Sequence, residues 1–181
     1  MQLKLSEEVS IRKIQFKDYE DLFNLMSRIY PPAYQYLWTD DCSWYLTHIY
    51  SREAVLNDIN DEGLFYFVII NGVKEGILKI QTNTAYPDQP KKKATRLHRI
   101  YLSEETQGKG VSKLLMQFVL NIAMKNNSEI LWLDCMDSKH QALKYYLKNG
   151  FKKGTLNQLD FELLIDESRG IYYMWKEIEY A

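Results

Sequence analysis

Residues 64–81, LFYFVIINGVKEGILKIQ, constrain this chain more than any other stretch. Two β-rich runs flank Asn71-Gly72, a dipeptide suited to the positive φ angles of a two-residue hairpin turn, so local chemistry alone sets an antiparallel pair. Upstream, VSIRKI at 9–14 alternates apolar and polar residues and reads as a strand. Phe16, Tyr19, Leu22, Phe23 and Met26 then recur at helical spacing, and Pro31 with Pro32 is expected to stop that helix. AYQYLWTDDCSWYLTHIY reads as a second helix or helix pair with Asp40 or Asp41 as N-cap, and SREAVLNDIN as a further short helix. After the hairpin come a loop with Pro87, Pro90 and a KKK run, the strand ATRLHRIYLS, and a helix striped by Leu114, Leu115, Phe118, Val119, Ile122 and Ala123. EILWLDCM reads as a buried strand and SKHQALKYYLKNG as an amphipathic helix capped by Gly150. Phe151 opens a strand, and the runs GTLNQLDFELL and IYYMWKEI flank the turn DESRG. The order is mixed α/β, without a repeat or linker, and predicts a single domain over 1–181.

A formal charge of −1 gives no electrostatic reason to expect nucleic acid or a membrane surface as partner. The longest apolar run, LFYFVII, falls far short of the roughly 20 residues of a spanning helix. Cys42, Cys135, His48, His98 and His140 show no metal-ligand spacing, so no metal is expected. The first residues, MQLKLSEEVSIRK, lack a signal peptide's apolar stretch, which with the sparse cysteines predicts a reducing cytoplasm.

Residues 105–118, ETQGKGVSKLLMQF, place two glycines at the mouth of a helix. A helix start leaves N–H groups without partners and carries partial positive charge, so it suits a phosphate. Gly108 and Gly110 clear Cβ atoms from the approach, Ser112 is small and Lys109 adds charge, which together fit a pyrophosphate. Such dipole terms supply about 0.3–2 kcal/mol each, so a large cofactor needs further contacts elsewhere. The P-loop spacing is absent, and a dinucleotide fingerprint would want glycine where Lys113 stands. Asp134, following a strand, keeps the dinucleotide reading open, and a plain strand-to-helix turn is the other alternative.

With Gln107-Gly108-Lys109-Gly110-Val111-Ser112 after LHRIYL, and ALKYYLKNGF one strand and one helix later, the chain resembles the GCN5-related N-acetyltransferases (GNAT). RIYL and LKYYLKNGF look most like the branch of PaiA-type polyamine acetyltransferases. The resemblance implies a central twisted mixed sheet of six to seven strands with helices on both faces, and a cleft between two splayed parallel strands. Acetyl-CoA would bind there as cosubstrate, its pyrophosphate on the amides of residues 107–112 and its pantetheine arm along the Ile100-Tyr101-Leu102 backbone. A strand amide would face the developing oxyanion. Tyr146 matches the position of a general acid for the departing thiolate, though on residues alone Tyr145 and Tyr146 read as core aromatics. His98 stands where relatives carry a glutamate base; it or a water chain would take the proton of a small-molecule or peptide amine.

Three positions depart from the pattern: Lys139 replaces an asparagine, Gln107 an arginine, and Ser112 a glycine or alanine. An acyl-CoA-binding sensor without turnover is therefore a second reading. The resemblance leaves room for a homodimer. On the acceptor side, Tyr34, Tyr36, Trp38, Trp44 and Tyr45 with Asp40 and Asp41 would suit a cationic amine, or equally make a core with an acidic cap.

Overall fold

In a computed structural model describing residues 2–61 and 63–180, the chain begins β1 (Gln2–Lys4), β2 (Val9–Lys13), α1 (Tyr19–Tyr34), α2 (Ser43–Ile49), α3 (Arg52–Asn60). It continues β3 (Leu64–Ile70), β4 (Val73–Gln81), β5 (Ala94–Leu102), α4 (Val111–Lys125), β6 (Ile130–Met136), α5 (His140–Lys148), β7 (Lys152–Gln158), β8 (Gly170–Glu177). The strands form one mixed sheet in the order β1-β2-β3-β4-β5-β6-β8-β7. The hairpin forms as read, with φ of 48° at Asn71 and 84° at Gly72 and Ile70 paired to Val73. β5 and β6 are parallel, as the splayed-strand expectation requires.

The sheet has eight strands rather than six to seven. The strand missed is β1, which pairs antiparallel with β2 from Gln2 opposite Arg12 to Lys4 opposite Ser10. All three of its residues are exposed, so no buried face left an alternating pattern to read.

α1 also overrides the proline stop. Pro31 and Pro32 lie inside it, removing the N–H donors that would serve the carbonyls four residues back. Packing holds the extra turn: Tyr34 stacks on Tyr30 with centroids 4.8 Å apart, and the Gln35 N–H donates to the Pro31 carbonyl.

By contacts the chain falls into two compact units, residues 1–80 with 99–118, and residues 81–98 with 119–181. In the first, Ile11, Phe65, Phe67, Ile77 and Leu78 of the sheet and Leu22, Met26 and Ile29 of α1 are buried. In the second, Tyr86, Ala94, Ile130 and Trp132 cluster with Tyr173 and Trp175. Asp88 ties the loop before β5 to β7, accepting from Tyr86 Oη at 2.8 Å, the Thr155 N–H at 2.9 Å and Thr155 Oγ1 at 2.8 Å.

Candidate active site

The end of β5 leads into the glycine turn through tight local bonds. The Ser103 N–H donates to the Glu75 carbonyl at 2.8 Å, and Thr106 Oγ1 to the Ser103 carbonyl at 2.8 Å. Gln107 and Lys109 donate their amides to the carbonyls of Glu104 and Thr106, at 3.0 and 3.3 Å. Gly108 and Gly110 take φ of 74° and 70°, left-handed values that a side chain would strain. The helical bonds of α4 start at the Gly110 carbonyl, which accepts from Lys113 and Leu114. Among the described residues, the amides of Gly108, Gly110, Val111 and Ser112 donate to no backbone carbonyl. A Cβ built on either glycine would meet nothing within 4 Å. The mouth of α4 thus offers unspent donors beside open space. The expected row of amides over 107–112 is narrower: Gln107 and Lys109 have spent theirs, and can offer a ligand their side chains. Burial of Val111, Leu115, Val119 and Ala123 anchors the helix behind this corner.

In the strands, the parallel ladder between β5 and β6 runs from Ala94 opposite Ile130 to Leu97 opposite Leu133, yet β5 continues to Leu102 and β6 to Met136. Among the described residues, the ladder with β6 stops at Leu97. Gly76 lets β4 press against the end of β5: a Cβ there would meet the Tyr101 carbonyl, with Leu102 Cδ2 at 2.6 Å and Leu102 Cα at 3.2 Å. Ile100 and Leu102 are half-buried in β5. Tyr101, expected among the cofactor contacts, turns its ring edge-on to Tyr30 and Tyr34, both at 5.4 Å.

In the second unit, His98 is half-buried on β5. Tyr146 is 9% exposed on α5, packed edge-on to Tyr145 and Phe151 at 5.4 and 5.5 Å. Lys139 forms the N-cap of α5. Cys135 is buried on β6, and burial foremost pushes its thiol up to about 12 against the pull of Lys139 and Lys153, so it is no nucleophile at neutral pH. Asp134, the residue that kept the dinucleotide reading open, is ion-paired to Arg96. Of the KKK run, Lys92 reaches Glu177 at 3.1 Å and the Lys93 N–H meets Glu129 Oε1 at 3.1 Å. Among the described residues, no three His, Cys, Asp or Glu side chains gather to hold a metal ion, and no helix is long and apolar enough to cross a membrane.

Residues 19–151 match the sequence profile of the acetyltransferase (GNAT) family. The chain belongs to that family. A curated relative, an uncharacterized N-acetyltransferase from the pepI 3′ region of Lactobacillus delbrueckii subsp. lactis, is 25% identical over 133 residues, covering 68% of this chain and 77% of its own. The solved PaiA N-acetyltransferase of Thermoplasma acidophilum in complex with coenzyme A superposes with a TM-score of 0.70 at 21% identity, covering 93% of this chain and 98% of its own. A variant spermidine N-acetyltransferase from Vibrio cholerae gives 0.66 at 15% identity over 95% of both chains. At these identities the two structures establish the GNAT fold.

The aromatics read either as an acceptor wall or as core lie together in the first unit. Tyr45 stacks on Tyr30 at 4.3 Å and lies 5.3 Å from Trp38, Trp38 and Trp44 are 5.9 Å apart, and Trp44 stacks on His48 at 4.5 Å. Tyr34 joins through Tyr30 and Tyr101, whereas Tyr36 is 50% exposed. Neither Asp40 nor Asp41 is the N-cap of α2. That position is Cys42 in left-handed conformation, while Asp40 Oδ2 accepts the Trp44 N–H at 2.6 Å. Sequence reading missed Tyr30, Tyr50, Tyr101 and Arg99 as parts of this nest. Strand alternation on β5, which sends residues 99 and 101 to one face, was the available signal.

Proposed function

We propose that this protein transfers an acetyl group from acetyl-CoA to a primary amine by direct attack in a ternary complex. The observation that carries the reading is the corner at 108–112, where amides without carbonyl partners border a space that no Cβ would crowd. That is the chemistry of a diphosphate site at a helix N-terminus. The β5 backbone beyond Leu97 suits the amide-bearing pantetheine arm, which can hydrogen-bond a strand edge as another strand would. Coenzyme A in the related PaiA structure supports the same cosubstrate.

The reaction then needs few side chains. The amine nitrogen attacks the thioester carbonyl carbon, the C–N bond forms, the C–S bond breaks, and an N–H aimed at the oxygen stabilises the tetrahedral state more than the ground state. Tyr146 gives its proton to the departing thiolate. Before the attack, His98, or water held by it, takes a proton from the acceptor ammonium to free the nitrogen lone pair, a removal that costs roughly 4 kcal/mol at pH 7. Polyamines and peptide N-termini are the acceptors that the relatives suggest, and a reducing cytoplasm suits the free, buried Cys42 and Cys135. Thiol release from acetyl-CoA across a panel of polyamines, amino acids and peptides tests the reading. Turnover on a panel member supports it, while silence with CoA still raising the melting temperature selects the sensor instead.

A further inference from the structure

We propose that Arg99 is a specificity-determining residue of the acceptor side and receives a carboxylate carried by the amine substrate. The inference rests on the acetyl-transfer reading and narrows its acceptor class. On β5, Arg99 and Tyr101 both meet the helices of the first unit: Arg99 pairs with Asp58 of α3, and the Tyr101 hydroxyl shares a hydrogen bond with that of Tyr45 on α2 at 3.0 Å. Asp58 is divided between two cations, with Oδ1 on Lys79 Nζ and Oδ2 on Arg99 Nη1. The side chains of Lys79 and Arg99 are 1% and 12% exposed. Asp61, exposed, also acts on Lys79.

Donors outnumber acceptors in this cluster. A guanidinium presents five N–H donors in a fixed fork. Among the described residues, Asp58 engages Nη1 alone, and no other acceptor meets Arg99. The guanidinium stands 5.6 Å from the ring centroid of Tyr50, a fully buried residue. Burial opposes the Arg99 charge and the pairing with Asp58 favours it, and a guanidinium stays charged at any working pH. Burial likewise keeps the Tyr45 and Tyr50 hydroxyls protonated.

A group that satisfies a spare guanidinium fork is a carboxylate, bound through parallel N–H donors. A polyamine brings only further donors and positive charge to Arg99 and Lys79. The chemistry therefore favours an acceptor bearing both amine and carboxylate, a free amino acid or a short peptide.

Matched acceptors test this: lysine against cadaverine, and phenylalanine against phenethylamine, assayed by thiol release from acetyl-CoA. The carboxylate-bearing member should show a KM lower by roughly ten- to a hundredfold, the worth of a charge-assisted hydrogen-bonded contact. Arg99→Gln should raise that KM by a similar factor with a smaller change in kcat, and Arg99→Lys, keeping the charge but not the fork, should fall between. Equal KM values, or preference for the decarboxylated amines, would overturn the carboxylate assignment and leave acetyl transfer standing. Silence across the wider acceptor panel with CoA still bound would instead sink the transfer reading itself. The wild-type comparison decides the matter even where Arg99→Gln does not fold.

Discussion

Gly110→Asp isolates the diphosphate corner from the rest of the fold. Gly110 sits at φ 70° with nothing within 4 Å of an added Cβ, so the protein itself offers the new side chain no clash. Left-handed backbone costs a side chain about 1–2 kcal/mol, and aspartate is among the residues that bear it best. A carboxylate at the start of α4 also suits the helix dipole, so the melting temperature should fall by only about 2–4 °C. The ligand meets a different balance. A carboxylate about 5 Å from a phosphate charge, at an effective dielectric near 20, repels it by about 3 kcal/mol, roughly a hundredfold in Kd. Gly110→Ala supplies the same backbone change without charge and should lose roughly tenfold or less. Isothermal titration with coenzyme A, with melts of both variants as the folding control, reads the difference. A Gly110→Asp protein that binds coenzyme A within about threefold of wild type refutes the assignment, since a charge placed among the open amides could not be so well tolerated.

Tyr146→Phe should lower kcat by about 10²-fold, the usual worth of a placed general acid, with a much smaller effect on coenzyme A affinity; wild-type turnover on a good amine would remove the role. Cys135→Ala should keep activity, and intact-mass spectrometry during turnover should show no acyl-enzyme, because the buried thiol holds its proton. The same thiol, pushed up to about 12 from 9.0, is protonated longer in the native than in the unfolded chain. Its contribution to stability is thus complete below about pH 9 and declines as pH rises toward 12. Urea unfolding across this range should show a weaker decline in Cys135→Ala, and parallel declines would contradict the cause. Gly76→Ala should destabilise by about 2 kcal/mol or more, since its Cβ would meet backbone of Tyr101 and Leu102 that cannot swing aside, and a melt unchanged from wild type would show the contact to be soft.

Local chemistry made much of this protein legible. Asn71-Gly72 wrote its own hairpin, Gly108 and Gly110 marked the α4 mouth, and Gly150, at φ 82°, closed α5 where expected. What escaped depended on partners distant in sequence. α1 passes Pro31 and Pro32 because aromatic packing outweighs the lost bonds, and β8 lies between β6 and β7 because strand pairing selects neighbours irrespective of chain order. Cys42 takes the left-handed cap of α2 although Asp40 carries the better capping side chain, which serves from two residues upstream. At the candidate site, the sequence pointed to a strand leading into a glycine turn, but not to which amides the turn consumes. Only the backbone bonds of Gln107 and Lys109 separate spent donors from open ones. Arg99 was hidden for a similar reason, since its partners Asp58 and Tyr50 lie 41 and 49 residues away.

Backbone amide NMR during a coenzyme A titration puts the claim most directly. The account predicts that the N–H signals of Gly108, Gly110, Val111 and Ser112 move furthest, while those of Gln107 and Lys109, already bonded within the turn, move less. Saturating coenzyme A that leaves all of the first group in place, while signals elsewhere shift, would contradict it.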